Sequence, residues 1–100
     1  TLLTRRLVKA TQREELVPCD ALEVADTIVL RRGDLVPVAA WACASTACSL
    51  DWIEGESEPR RFEEGAAIPA GAFYVGAAPA RVIASERFAD SAVLRLLHAP

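Results

Sequence analysis

Cys43 and Cys48 stand with four residues between them, Cys19 lies far upstream, and the single histidine, His98, is third from the end. Three thiols and an imidazole can in principle hold zinc. Structural zinc sites, however, use tight pairs with a second matching pair, and this chain offers one loose pair and two distant residues. The same groups could supply a nucleophile and its base, because such partners meet in space rather than in sequence. Free cysteine is also among the most buried residue types. Reduced thiols packed in a core is the plainer reading, and the sequence points to no catalytic residue, no metal site and no cofactor.

Other chemistry-bearing groups also have plain structural readings. Arg32-Gly33-Asp34 is the adhesive tripeptide, yet a tight turn already accounts for Gly33 and Asp34. The adjacent pairs Glu14-Glu15 and Glu63-Glu64 read as solvated loop faces. Arg60-Arg61 beside Phe62 has the look of a nucleic-acid contact, but Glu54, Glu56, Glu58, Glu63 and Glu64 surround it and would repel phosphate. A locally salt-bridged, exposed acidic loop over Gly55–Pro59 is expected instead. Gly65, Gly71 and Gly76 are spaced as turns and do not open a helix, so they form no phosphate cradle. Trp41, Trp52, Phe73 and Tyr74 read as core, as interface anchors or as the lining of a ligand pocket.

The elements that would carry these groups centre on residues 24–44, VADTIVLRRGDLVPVAAWACA. β-Branched Thr27, Ile28 and Val29 favour a strand, and Gly33 suits a hairpin loop. The second run, Leu35–Ala44, is apolar on both faces, so it must be covered on both sides by its own chain or by a partner. Pro37 places part of that arm at an edge or bulge. Cys48, Leu50 and Trp52 alternate with polar residues and predict a strand with those three side chains buried. Residues 18–25 predict at most a short helix or an irregular crossing. Ile68-Pro69-Ala70-Gly71 reads as a type I turn with Pro second and Gly fourth. Phe73, Tyr74 and Arg81–Ala84 predict further strands. The tail fits either a helix capped by Asp90 or a strand, and the strand is preferred. Turns at intervals of about ten residues give an all-β or mostly β fold, a small barrel or sandwich with at most one short helix.

One hundred residues make one domain. The chain is 52% hydrophobic with a mean hydropathy of +0.21, although alanine supplies much of that and buries little area. A net charge of −3 argues against nucleic-acid and anionic-membrane partners. No run of about 18 apolar residues predicts a spanning helix. The start lacks the apolar core of a secretory signal, which leaves open a mature form already cleaved. Three cysteines are too few for a disulfide scaffold.

Residues 1–9 carry Arg5, Arg6 and Lys9 together with Leu2, Leu3, Leu7 and Val8. They read as an edge strand or an extended arm, with the acidic stretch Glu54–Glu64 as its electrostatic counterpart. These residues and Trp41 form the expected partner-binding set. The turns AAIPAG (66–71) and RRGDLVPV (31–38) are similar to those of β-clip domains in pilus and flagellar assembly proteins. As a whole the chain resembles small accessory proteins of tailed-phage particles, of the capsid-decoration or head–tail joining type. That resemblance implies a non-enzymatic assembly subunit forming a homo-oligomer or joining a larger protein scaffold. The implied setting is a virion, or the bacterial cytoplasm during assembly, with no nucleic acid and no membrane as partner. A small Cys/His enzyme and a ligand-binding β-module remain as alternatives.

Overall fold

A computed structural model describes residues 2–98. The chain lays down β1 (Leu3–Val8), β2 (Arg13–Pro18), β3 (Thr27–Leu30), β4 (Ala40–Ala42) and β5 (Thr46–Ser49), followed by a one-turn helix, α1 (Asp51–Glu54). Then come β6 (Arg60–Phe62), β7 (Ala67–Ile68), β8 (Phe73–Tyr74), β9 (Ala80–Ala84) and α2 (Ala92–Leu97). Short 3-10 turns cover Cys19–Ala21 and Phe88–Asp90. The strands form two antiparallel sheets, one in the order β2-β1-β3-β9-β4-β7 and the other in the order β6-β5-β8. The mostly β expectation holds, with two short α-helices where at most one was expected.

Leu22, Ile28, Leu30, Val36, Val38, Leu50, Ile68, Val82 and Val93 are fully buried in one cluster. Each such aliphatic side chain contributes about 1.5–3 kcal/mol by leaving water. In β3, Ile28, Val29 and Leu30 are all buried, as a strand flanked on both edges and covered on both faces requires.

The expected hairpin over 24–44 does not form, because β9 lies between β3 and β4 and pairs with both. Nor is Leu35–Ala44 a continuous strand. Gly33 N–H donates to the Tyr74 carbonyl at 2.8 Å and Val36 N–H to that of Ala72 at 2.8 Å, so this segment first runs along the smaller sheet. By Ala39, whose carbonyl accepts from Ser85 N–H at 2.8 Å, it has reached the larger one. Pro37, which has no N–H to leave unpaired, sits at the crossing. The run is apolar on both faces because it passes through the core. Its own chain buries Val36, Pro37, Val38, Ala40 and Ala42, while Trp41, Cys43 and Ala44 stay exposed.

Three further expectations change. β5 ends at Ser49, so Cys48 and Leu50 are buried as expected, but the chain then turns into α1 and leaves Trp52 48% exposed. The tail is helical: Ser91, not Asp90, caps α2, its Oγ accepting from Val93 N–H at 3.0 Å while donating to the Pro37 carbonyl at 2.6 Å. The turn over Pro69–Ala72 has Gly71 in third place at φ 96°, a conformation that glycine adopts without strain.

Residues 3–8 are not an edge or a free arm. β1 pairs with β2 on one side and β3 on the other. Its arginines are neutralised locally, Arg5 by Asp34 and Arg6 by Glu15 at 2.6 Å and Asp26 at 3.4 Å, rather than by the acidic stretch 54–64. Among the described residues no helix is long and apolar enough to cross a membrane.

Candidate functional site

Ser49 ends β5, and Leu50 drops into the core as the last anchor before α1. The next four residues make a single helical turn. Its hydrogen bonds run from Glu54 N–H to the Leu50 carbonyl and from Gly55 N–H to that of Asp51, both at 2.8 Å. Gly55, at φ 72°, closes it in the left-handed conformation that terminates many helices. The chain therefore leaves α1 in a fixed direction and carries Glu56, Ser57 and Glu58 out as an acidic tip before β6 begins at Arg60. Arg60 reaches back to Glu54 at 3.3 Å and also pairs with Glu56, while its guanidinium lies 5.8 Å from the centre of the Phe62 ring. The expected salt-bridged loop is present, with Glu54 and Glu56 both paired to Arg60.

The tip is backed by exposed aromatics. Trp52 donates its indole N–H to the Gly71 carbonyl and packs 6.0 Å from Phe73, centre to centre, with the rings tilted by 56°. An open groove of about 460 Å³ runs from this point between α1 and α2, lined by Trp52, Ile53, Glu54, Ala70, Ala92, Arg95 and Leu96. The combination is a two-sheet β-scaffold, a short loop rich in carboxylates, and apolar surface beside it. Carboxylates so placed can accept a proton from a bound water or hold a cationic group.

The thiols do not join this site. Cys19 and Cys48 are buried, and burial pushes both up to about 11, with Asp20 adding to the effect at Cys19. Cys43 is exposed just past the end of β4, and partial burial with Glu64 raises its thiol against the opposing pull of Arg81. A nucleophilic cysteine needs a lowered value. His98 lies exposed at the end of α2. Among the described residues no three His, Cys, Asp or Glu side chains cluster as a metal ion would require.

The expected partner-binding residues are dispersed. Leu7 is buried, Arg5 and Arg6 are ion-paired, and Leu2 and Val8 are half-buried. Leu3 is exposed on a groove of about 280 Å³ shared with Arg5, Leu16, Asp34, Leu35 and Phe73. Lys9 lies exposed beyond β1, and Trp41 is exposed on β4, in the larger sheet and apart from Trp52. Sequence reasoning saw Gly55–Pro59 as an exposed acidic loop and gave it a part only as an electrostatic counterpart to residues 1–9, and it placed Trp52 in the core. The available signal was Asp51-Trp-Ile-Glu-Gly55, a single helical turn with acidic residues at its start and glycine just past its end.

A family model described as the P-type ATPase actuator domain matches residues 3–99. Among solved structures, the chain is similar to a zinc-transporting PIB-type ATPase in the E2.Pi state, with a TM-score of 0.84 and 24% identity over 95% of this chain. It is similar also to such an ATPase in the E2-P state, with a TM-score of 0.83 and 24% identity over 95% of this chain. The chain spans 15% of the length of each. No curated protein matches. The family match overturns the resemblance to phage accessory proteins, and with it the assembly-subunit function and the virion setting. It equally removes the grounds for expecting a homo-oligomer and for excluding a membrane. The phage resemblance rested on size, alanine content and turn spacing, which any small β-domain can share.

Proposed function

The chain belongs to the actuator-domain family of P-type ATPases, and from that premise we propose that it acts within such an ATPase by presenting Glu56 to the phosphorylated site. ATPases can store the transferred phosphoryl group on an aspartate. Hydrolysis of that group needs a water held in line with the phosphorus by an acceptor. The water oxygen bonds to phosphorus, the bond to the aspartyl oxygen breaks with its electron pair, and the water proton passes to the accepting carboxylate. The observation that carries this reading is the geometry of the tip. Glu56 follows directly on the left-handed Gly55, is half-buried, and is tied to Arg60, so its carboxylate is aimed rather than free. Glu58 is exposed on the same loop. The capture of the similar zinc-transporting ATPase in E2-P and E2.Pi states supports a role at a phosphoenzyme. The reading implies that the remainder of the ATPase carries the aspartate, the nucleotide site and the membrane-spanning path.

The test is steady-state ATP hydrolysis by the ATPase that carries this domain. Glu56→Gln should lower turnover by about 100-fold or more, and Glu58→Gln should leave it within a few-fold of the parent. Equal turnover in the two variants would contradict the assignment of Glu56.

A further inference from the structure

A helix of one turn has no stability of its own, because the cost of nucleation is not offset by further hydrogen bonds. Something outside α1 must therefore hold it, and with it the direction in which the chain enters the acidic tip. Beyond Leu50, buried just before it, and Ile53, packed against the core, two anchors are present. Arg60 bridges Glu54 and Glu56, but this is a surface pair between groups that are 39–47% exposed, and salt screens such pairs. The other anchor is Trp52, and salt does not weaken it.

We propose that Trp52 is a positioning residue for Glu56, a claim that rests on the function proposed above. Its indole N–H is bonded to the Gly71 carbonyl, and its ring lies against Gly71 and near Phe73. Gly71 is shaped to receive it: a β-carbon there would come within 3.2 Å of Trp52 Cζ2 and 3.0 Å of Ile53 Cγ2. The turn carrying Gly71 is itself pinned to the core-crossing segment through Gly71 N–H and the Val36 carbonyl at 2.8 Å. Trp52 thus couples α1 to a turn hydrogen-bonded to the core-crossing segment while remaining 48% exposed. A side chain half in water adds little to the core, so the main consequence of this contact is the orientation of α1. The geometry also explains why the aromatic sits outside the buried face that strand alternation predicts for it.

The test separates formation of the phosphoenzyme from its decay in the whole ATPase, using Trp52→Ala, Trp52→Phe, Gly71→Ala and Glu56→Gln. Losing the latch should shift the carboxylate by about an ångström, which slows hydrolysis on the order of 10- to 100-fold. Trp52→Ala should therefore decay that much more slowly yet form at the parental rate, and Trp52→Phe, which keeps the ring, should recover part of the loss. Gly71→Ala should resemble Trp52→Ala. Amide hydrogen exchange in Trp52→Ala should accelerate at residues 53–56 and stay unchanged in both sheets. Parental decay in Trp52→Ala beside slow decay in Glu56→Gln would overturn the latch and leave the proposed function standing. Formation and decay slowed alike in Trp52→Phe, with faster exchange across the sheets, would show a merely structural tryptophan. Parental decay in Glu56→Gln would instead remove the function on which the inference rests.

Discussion

Single residues in this domain divide between those that hold the fold and those that face outward, and the thiols of Cys19 and Cys48 belong to the first group. Both titrate near 11 in the folded chain, against an ordinary 9.0, because the thiolate is poorly solvated there. The folded state therefore binds the thiol proton more tightly than the unfolded state. The resulting stabilisation is complete below pH about 9 and is lost as pH rises towards about 11, amounting to roughly 2–3 kcal/mol per thiol. Chemical unfolding followed between pH 8 and 11 should show stability falling more steeply in the parent than in the double variant Cys19→Ala, Cys48→Ala. Parallel curves would show that the thiols do not titrate in the folded state. Residue type alone suggested this burial for Cys19 and Cys48, but it suggested the same for Cys43, which is exposed. The role proposed for Glu56 was not legible, because a carboxylate in a solvated loop looks the same in sequence whether or not it faces a reaction.

At the scale of elements, the joint between α2 and the core crossing depends on one hydroxyl. Ser91 Oγ caps the helix and at the same time satisfies the buried Pro37 carbonyl. Ser91→Ala removes a cap and leaves a buried acceptor unpaired, so it should cost about 1–3 kcal/mol, measurable as a lowered denaturation midpoint. An unchanged midpoint would show that the joint does not depend on this contact. Strands rich in β-branched residues, such as Thr27–Leu30, were readable because their side chains state a backbone preference. The partner of a strand was not. β9 enters between β3 and β4 from about 40 residues away, and an apolar run over 35–44 looks like a hairpin arm until the strand that separates it from β3 is known. A one-turn helix such as α1 has no period to detect, and strand alternation through Cys48, Leu50 and Trp52 ran on past the true end of β5.

At the scale of the whole molecule, an aimed carboxylate needs a rigid body that carries the tip without deforming. The first strand is part of that rigidity: among the described residues β1 is the only strand partner of β2 and one of two neighbours of β3. Removing residues 1–9 should abolish cooperative thermal unfolding, and a sharp transition in the truncated chain would show that the sheet can close without β1. Composition and turn spacing were enough to give a small, mostly β domain, since they report how chain becomes core. They were silent on the function proposed for it, because nothing in the packing of one domain records what its exposed loop meets. The loop is proposed to act on a phosphoenzyme, and the rate of phosphoenzyme decay reports on that action. In the ATPase carrying this domain, phosphorylated from labelled ATP and then chased with unlabelled nucleotide, Glu56→Gln should reach the parental level of phosphoenzyme and lose it about 100-fold more slowly; decay at the parental rate would contradict the account.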